Sequence, residues 1–143
     1  MSNIDSEDRI LKIYFYILLF MMVYSLFVGF KLQDMLRAKE DISSLLKAAH
    51  SHILCNSFLM LFLVYDSRIR LSKEKSMPFF RTLKSILGIG IIGHILTTIG
   101  FSIAGFVPSL TGNGMSIAGI GEPMMFFSLF LYIIISIIGE VYK

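Results

Sequence analysis

Four apolar stretches, each about as long as a membrane-crossing helix, divide this chain and leave it few folds to choose from. They cover residues 10–30, 48–65, 85–107 and 115–139. Crossing about 30 Å of hydrocarbon takes about 20 apolar residues in a helix. None of the four alternates apolar and polar residues as a half-buried strand would. Over the chain, 55% of residues are hydrophobic and only 16% are charged, where about a quarter is usual in soluble domains. A soluble core of this size cannot bury so much apolar side chain, so the bilayer is the expected solvent. The sequence predicts an all-α fold, an integral membrane four-helix bundle in one domain (1–143), with helices at about 10–30, 42–66, 84–107 and 115–141.

The connections between the stretches differ in kind. Residues 31–47 are mixed in charge, and Asp41, Ile42, Ser43 and Ser44 offer capping groups for a helix running into the second stretch. Residues 66–84 carry Arg68, Arg70, Lys73, Lys75, Arg81 and Lys84. Pro78 breaks this segment, and Phe79 and Phe80 suit the membrane interface. Residues 108–114 have no charge and read as a tight turn. The polar start, with no small-residue cleavage site after the first apolar run, is expected to leave that run as a retained membrane helix. Nine Lys and Arg flank one side (Arg9, Lys12, the six above and Lys143) and four the other (Lys31, Arg37, Lys39 and Lys47). Positive residues stay inside, which predicts cytoplasmic termini and middle connection, N-in and C-in.

The chemistry is concentrated in few residues. Cys55 is the only cysteine, which excludes an internal disulfide and a Cys-based zinc or iron–sulfur site within one chain. It reads as a buried apolar filler. The nine Met and thirteen Phe read as lipid-facing or core residues rather than a copper stripe. All three histidines, His50, His52 and His94, fall in or beside apolar stretches. Ionisable residues inside a bilayer are costly and usually face a bundle interior, a cavity or a cofactor. At 1.5 Å per residue, His50 and His52 lie about 5–8 Å below the outer boundary and His94 about 15 Å in. His50 and His52 are about 200° apart on a helix and cannot chelate one ion from a regular helix. His52 shares a face with Asn56, and His94 one with Gly90, Thr97 and Thr98. Small residues there leave room for a flat macrocycle, and they also let helices approach closely. The run Gly93, Thr97, Gly100 and Ala104 is explained by packing alone. Glu122 either joins the site in the outer half or, because the residue before a proline avoids helical geometry, caps a fourth helix starting at Pro123. The stretch 112–121 is then a loop or re-entrant segment.

The run Ala48-Ala49-His50-Ser51-His52-Ile53-Leu54 resembles the H-x-H helix of heme-copper oxidase and nitric oxide reductase catalytic subunits. There the two histidines ligate two different hemes from opposite helix faces. The same run, with Gly90-Ile91-Ile92-Gly93-His94-Ile95-Leu96, also resembles a group of small bacterial four-helix membrane proteins. The departures from the oxidases are large, since this chain has four apolar stretches and three histidines. The resemblance implies a heme b site, with His94 and His52 as the expected axial ligands, Asn56 orienting His52, and His50 serving a second heme or a propionate. The implied role is membrane electron transfer or diatomic gas sensing. The chain would act as a homo-oligomer or in a larger respiratory-type complex of a bacterial or archaeal cytoplasmic membrane. No catalysis by this chain alone and no nucleic-acid partner are expected. The residues leave alternatives open: a non-heme metal held by His50, His52, His94 and Glu122, since imidazole suits zinc, copper, iron and nickel alike; a proton relay or quinone contact; or packing histidines in an accessory subunit.

Overall fold

The computed structural model describes residues 3–38, 44–73 and 78–141. The chain forms α1 (Asn3–Arg37), α2 (Ser44–Lys73), α3 (Pro78–Phe106), a short 3-10 turn (Pro108–Leu110) and α4 (Thr111–Val141), with no strand among the described residues. All four α-helices are long and apolar enough to cross a membrane, over Asp8–Arg37, Leu46–Leu71, Arg81–Phe106 and Pro108–Ile138. At 1.5 Å per residue α1 is about 50 Å long, more than the hydrocarbon needs, so its ends project beyond it.

The helices extend further than the apolar runs predict. α2 continues past the second stretch to Lys73, and α3 begins at Pro78. The basic middle connection is thus mostly helix. Asp66 and Arg70 support it by pairing one turn apart at 2.7 Å. Arg68 reaches Asp8 of α1 at 3.2 Å, and Asp8 also pairs with Lys12 at 2.6 Å. Pro78 opens α3 where its missing N–H costs nothing. The side chains of Phe79 and Phe80, and the capping groups of residues 41–43, lie outside the described residues. The turn between α3 and α4 is tight, as expected: the Leu110 N–H donates to Val107 O at 2.8 Å, and the Thr111 hydroxyl to Pro108 O at 2.8 Å.

α4 corrects the expectation of a start at residue 115 or at Pro123. It begins at Thr111 and runs through Pro123. Proline in a helix removes one hydrogen bond and crowds the carbonyl four residues back, here that of Gly119. Gly119 is exposed, with open space where a Cβ would stand, so the crowding meets no neighbouring side chain. Glu122 is therefore an interior helical residue and not a cap.

The buried positions show how the bundle is assembled. In α1 they include Leu11, Leu18, Met21, Ser25, Val28 and Leu32; in α4, Gly114, Ala118, Gly121, Met125, Ser128 and Tyr132. Both follow the alternating three- and four-residue spacing of left-handed helix packing. α3 is the central helix, with 61% of its apolar window buried against 22–33% for the others. It packs against all three partners, α2 also packs against α1, and the backbone of α4 comes close to neither α1 nor α2 among the described residues. The main packing order is α1–α2–α3–α4, and among the described residues α4 reaches α2 only through side chains, at Glu122 and at Tyr132. Outward lie Phe20, Phe27, Phe30, Phe62, Phe127 and Phe130, as lipid contact requires. Cys55 belongs to this outer surface, correcting its expected burial. It shares the α2 face of exposed Phe58, Leu59 and Phe62.

α3 and α4 touch backbone to backbone. A Cβ on Gly93 would stand 2.7 Å from Gly121 O and from Met125 N; one on Gly114 would stand 2.5 Å from Gly100 O and 2.6 Å from Ala104 N. In lipid such contacts are a main source of helix association, because apolar burial gains nothing against acyl chains. We expect Gly93→Leu to destabilise the bundle by about 1–3 kcal/mol, the usual cost of overpacking, in detergent unfolding followed by circular dichroism. Gly119→Leu should leave stability unchanged or slightly raised.

Candidate functional site

Each histidine meets a different helix. His50 faces α1. Its Nδ1 lies 2.9 Å from Ser25 O and 3.2 Å from Ser25 Oγ, and that hydroxyl donates to His50 O at 3.1 Å. A carbonyl only accepts, so His50 carries a proton on Nδ1. The ring fills a notch left by Gly29, where a Cβ would stand 2.8 Å from Cε1 of His50. The histidine thus locks α2 onto α1.

His52 points the other way, as its position two residues on requires. Its Nδ1 lies 3.3 Å from Oε1 of Glu122 on α4, with side-chain exposures of 41% and 31%. Its ring centroid is 5.1 Å from that of Phe101 on α3, tilted by 51°. An imidazole and a carboxylate therefore bridge α2 and α4 over an aromatic floor, open on one side. Asn56 does not orient His52 as expected: its Nδ2 is buried and has no partner among the described residues. Glu122 takes that role.

His94 on α3 is fully buried. Its Nε2 lies 2.8 Å from Oγ of Ser57 on α2, while its Nδ1 has no partner among the described residues. The Thr98 hydroxyl donates to His94 O at 2.9 Å and the Thr97 hydroxyl to Gly93 O at 3.0 Å. Neither threonine serves the ring.

The expected ligand set does not converge in this arrangement. Of His50, His52, His94 and Glu122, only His52 and Glu122 meet, and no three His, Cys, Asp or Glu side chains gather as a metal site among the described residues. The residues also fail to form a slot for heme b. His94 and His52 lie on the α2–α3 and α2–α4 seams, about 7.5 Å apart in level if Ser57 marks the height of His94. The space beside Gly90 is taken by the Met60 methyl and Ser128, and that beside Gly93 by the α4 backbone. A cavity of about 350 Å³ lies between α1 and α3, lined by Ile17, Phe20, Met21, Tyr24, Ile95, Thr98 and Ile99. No histidine lines it.

A second polar cluster escaped the sequence reading. Tyr132 of α4 is buried. Its hydroxyl lies 2.7 Å from Oγ of buried Ser67, 2.8 Å from Oδ2 of Asp66 and 3.2 Å from Leu63 O. The signal was Asp66 and Arg70 one turn apart beside an apolar run, with a hydroxyl-bearing ring in the otherwise apolar end of α4. Ser57 and Ser25 were missed because a lone serine in an apolar helix usually bonds its own backbone.

No protein-family model, curated protein or solved structure matches this chain.

Removing one partner of a buried hydrogen bond strands the other at about 1–3 kcal/mol. We expect Ser57→Ala, which strands Nε2 of His94, to lower stability by that amount in detergent unfolding. Ser51→Ala should change it by less than about 0.5 kcal/mol, since the exposed Ser51 hydroxyl bonds only carbonyls of its own helix.

Proposed function

We propose that this integral membrane protein binds a lipid-soluble small molecule of the quinone class at the His52–Glu122 pair. One observation carries the reading: an imidazole and a carboxylate 3.3 Å apart, partly exposed, on helices long and apolar enough to cross a membrane. Ionisable residues within membrane helices are costly and mark candidate functional sites. A head group arriving through the lipid can accept a hydrogen bond from the imidazole through a carbonyl, or donate one to the carboxylate through a hydroxyl. Phe101 supplies an aromatic face beneath the imidazole. The donors separate onto three seams, so this alternative is better supported than the heme b, electron-transfer and gas-sensing reading. We further propose cytoplasmic termini, from the nine-to-four distribution of Lys and Arg, in a bacterial or archaeal cytoplasmic membrane. The open side of the pair suits a covering neighbour, in a homo-oligomer or a larger membrane complex.

The test of the site is titration of the detergent-purified protein with a short-chain quinone and its quinol, read by calorimetry. Glu122→Gln and His52→Ala should each weaken binding at least about tenfold, or roughly 1.4 kcal/mol, with Ser51→Ala unchanged. Affinity that ignores both substitutions removes the proposal. A Soret band in the wild type that is lost in His94→Ala and His52→Ala would return the assignment to heme. For orientation, Asn113→Cys in a Cys55→Ala background should react with an impermeant thiol reagent added outside intact cells. A fluorescent protein fused to the C-terminus should fold in the cytoplasm. Labelling from the inside alone would reverse the topology.

A further inference from the structure

Polar groups of α2, α3 and α4, partly exposed at one end and buried beyond it, follow one another along the bundle. The first rung is His52 with Glu122. The second is His94 with Ser57, five residues further along α2, about 7.5 Å, and both are fully buried. The third is Ser128, also buried. It sits against Gly90, one turn from His94, where a Cβ would stand 3.0 Å from Ser128 Cβ. The fourth is Tyr132, one turn beyond Ser128 on α4, bonded to Ser67 and Asp66. Asp66 in turn pairs with Arg70. Steps of about 6–7.5 Å thus add to about 20 Å of a hydrocarbon layer about 30 Å thick. Buried Met60, Val64, Ile91 and Met125 pack around this line, and the Met60 methyl stands beside Ser128 at Gly90, so water between the second and third rungs requires Met60 to move.

Two features set this stack apart from polar packing. Nδ1 of His94 and Nδ2 of Asn56 are both buried with no partner among the described residues. Asn56 lies between the first and second rungs on α2. A buried polar group is normally matched by protein or by water. The steps between rungs are rises along the helix axes, longer than a direct hydrogen bond, so passage along them requires water between the rungs.

We propose that this stack conducts protons across the bilayer, with His94 as its central relay. A proton leaves the Glu122–His52 pair through water and adds to Nδ1 of His94. The Nε2 proton of the same ring passes to Oγ of Ser57, whose own proton moves on through water to Ser128. Ser128, whose hydroxyl otherwise donates to Met124 O at 2.7 Å, passes its proton through a further water to Tyr132, which releases its own hydroxyl proton to Asp66. The Glu122–His52 pair regains its proton from water on its side and Asp66 gives one up to water on the other. Each group thus gains and loses one proton, no oxidant or reductant is consumed, and His94 resets by exchanging tautomers. The charged or titratable groups facing the path are His52, Glu122, Asp66 and Arg70. The proposal does not require a quinone at the first rung.

The experiment is proton flux into liposomes containing the full-length protein and an internal pH dye, driven by a potassium diffusion potential. Wild type should acidify the lumen faster than empty liposomes, with a slower rate in D2O. Tyr132→Phe keeps the ring and removes the relay hydroxyl, and should cut flux at least fivefold. His94→Gln should abolish it, and Ser51→Ala should leave it unchanged. Should His94→Gln fail to fold, Tyr132→Phe and Glu122→Gln decide. Folded wild type with no flux above empty liposomes overturns the proposal, as does flux indifferent to Tyr132→Phe and Glu122→Gln. Quinone binding that survives Tyr132→Phe while flux falls separates this path from the ligand site.

Discussion

The contact between α3 and α4 sets the rest of the molecule. Gly93, Gly100, Gly114 and Gly121 let the two backbones meet with no side chain between them. That approach fixes the rotation and height of α4. Once Gly121 lies on α3, Glu122 must project to one side of the seam, and Met125, Ser128 and Tyr132 must follow the line toward α2 and α3. Both polar contacts between α2 and α4, at Glu122 and at Tyr132, are consequences of glycines that carry no chemistry. The geometry also explains why Pro123 is tolerated. The α3 contact holds the buried face of the helix on either side of it, while the lost backbone bond falls near the exposed Gly119.

Much of the architecture was legible because the bilayer imposes it. Span length and the absence of alternation led to four helices, and the uncharged connection led to the tight turn. The 200° separation of residues 50 and 52 sent the two histidines to different neighbours, α1 and α4. The run Gly93, Thr97, Gly100 and Ala104 identified a packing face before its partner was known. These inferences share one property: they depend on a single helix and its solvent.

What was not legible depends on two helices at once. Apolar side chains cover all sides of a membrane helix, so hydrophobicity does not say which side faces protein, and Cys55 was assigned inward when it faces out. A start of α4 at Pro123 stays open in the sequence because local preference is weighed there without the α3 surface that holds α4 straight. His94 carried no sign that Ser57 would reach it, since their heights depend on the relative slide of α2 and α3. The expected heme ligands belong to the same class. An H-x-H run specifies directions, and only the neighbouring helices decide what stands in those directions.

The three histidines also differ in what their surroundings leave for function. His50 has its Nδ1 satisfied by α1 and its ring held by Gly29, so its energetics are spent on joining two helices. His52 and Glu122 are partly exposed, and a polar contact so placed gains little where water reaches it. In hydrocarbon, however, neither group is stable alone, so each holds the other in place at the surface. His94 is the costly one. It is fully buried with one nitrogen unmatched, a state worth about 1–3 kcal/mol of stability that an apolar side chain of similar volume would avoid. The glycine contacts join α3 to α4, whereas the imidazole joins α3 to α2 through Ser57. The place of His94 between the His52–Glu122 pair and a bonded tyrosine, with one nitrogen bonded to α2 and the other left over, is what suits it to pass a proton as well as to join two helices.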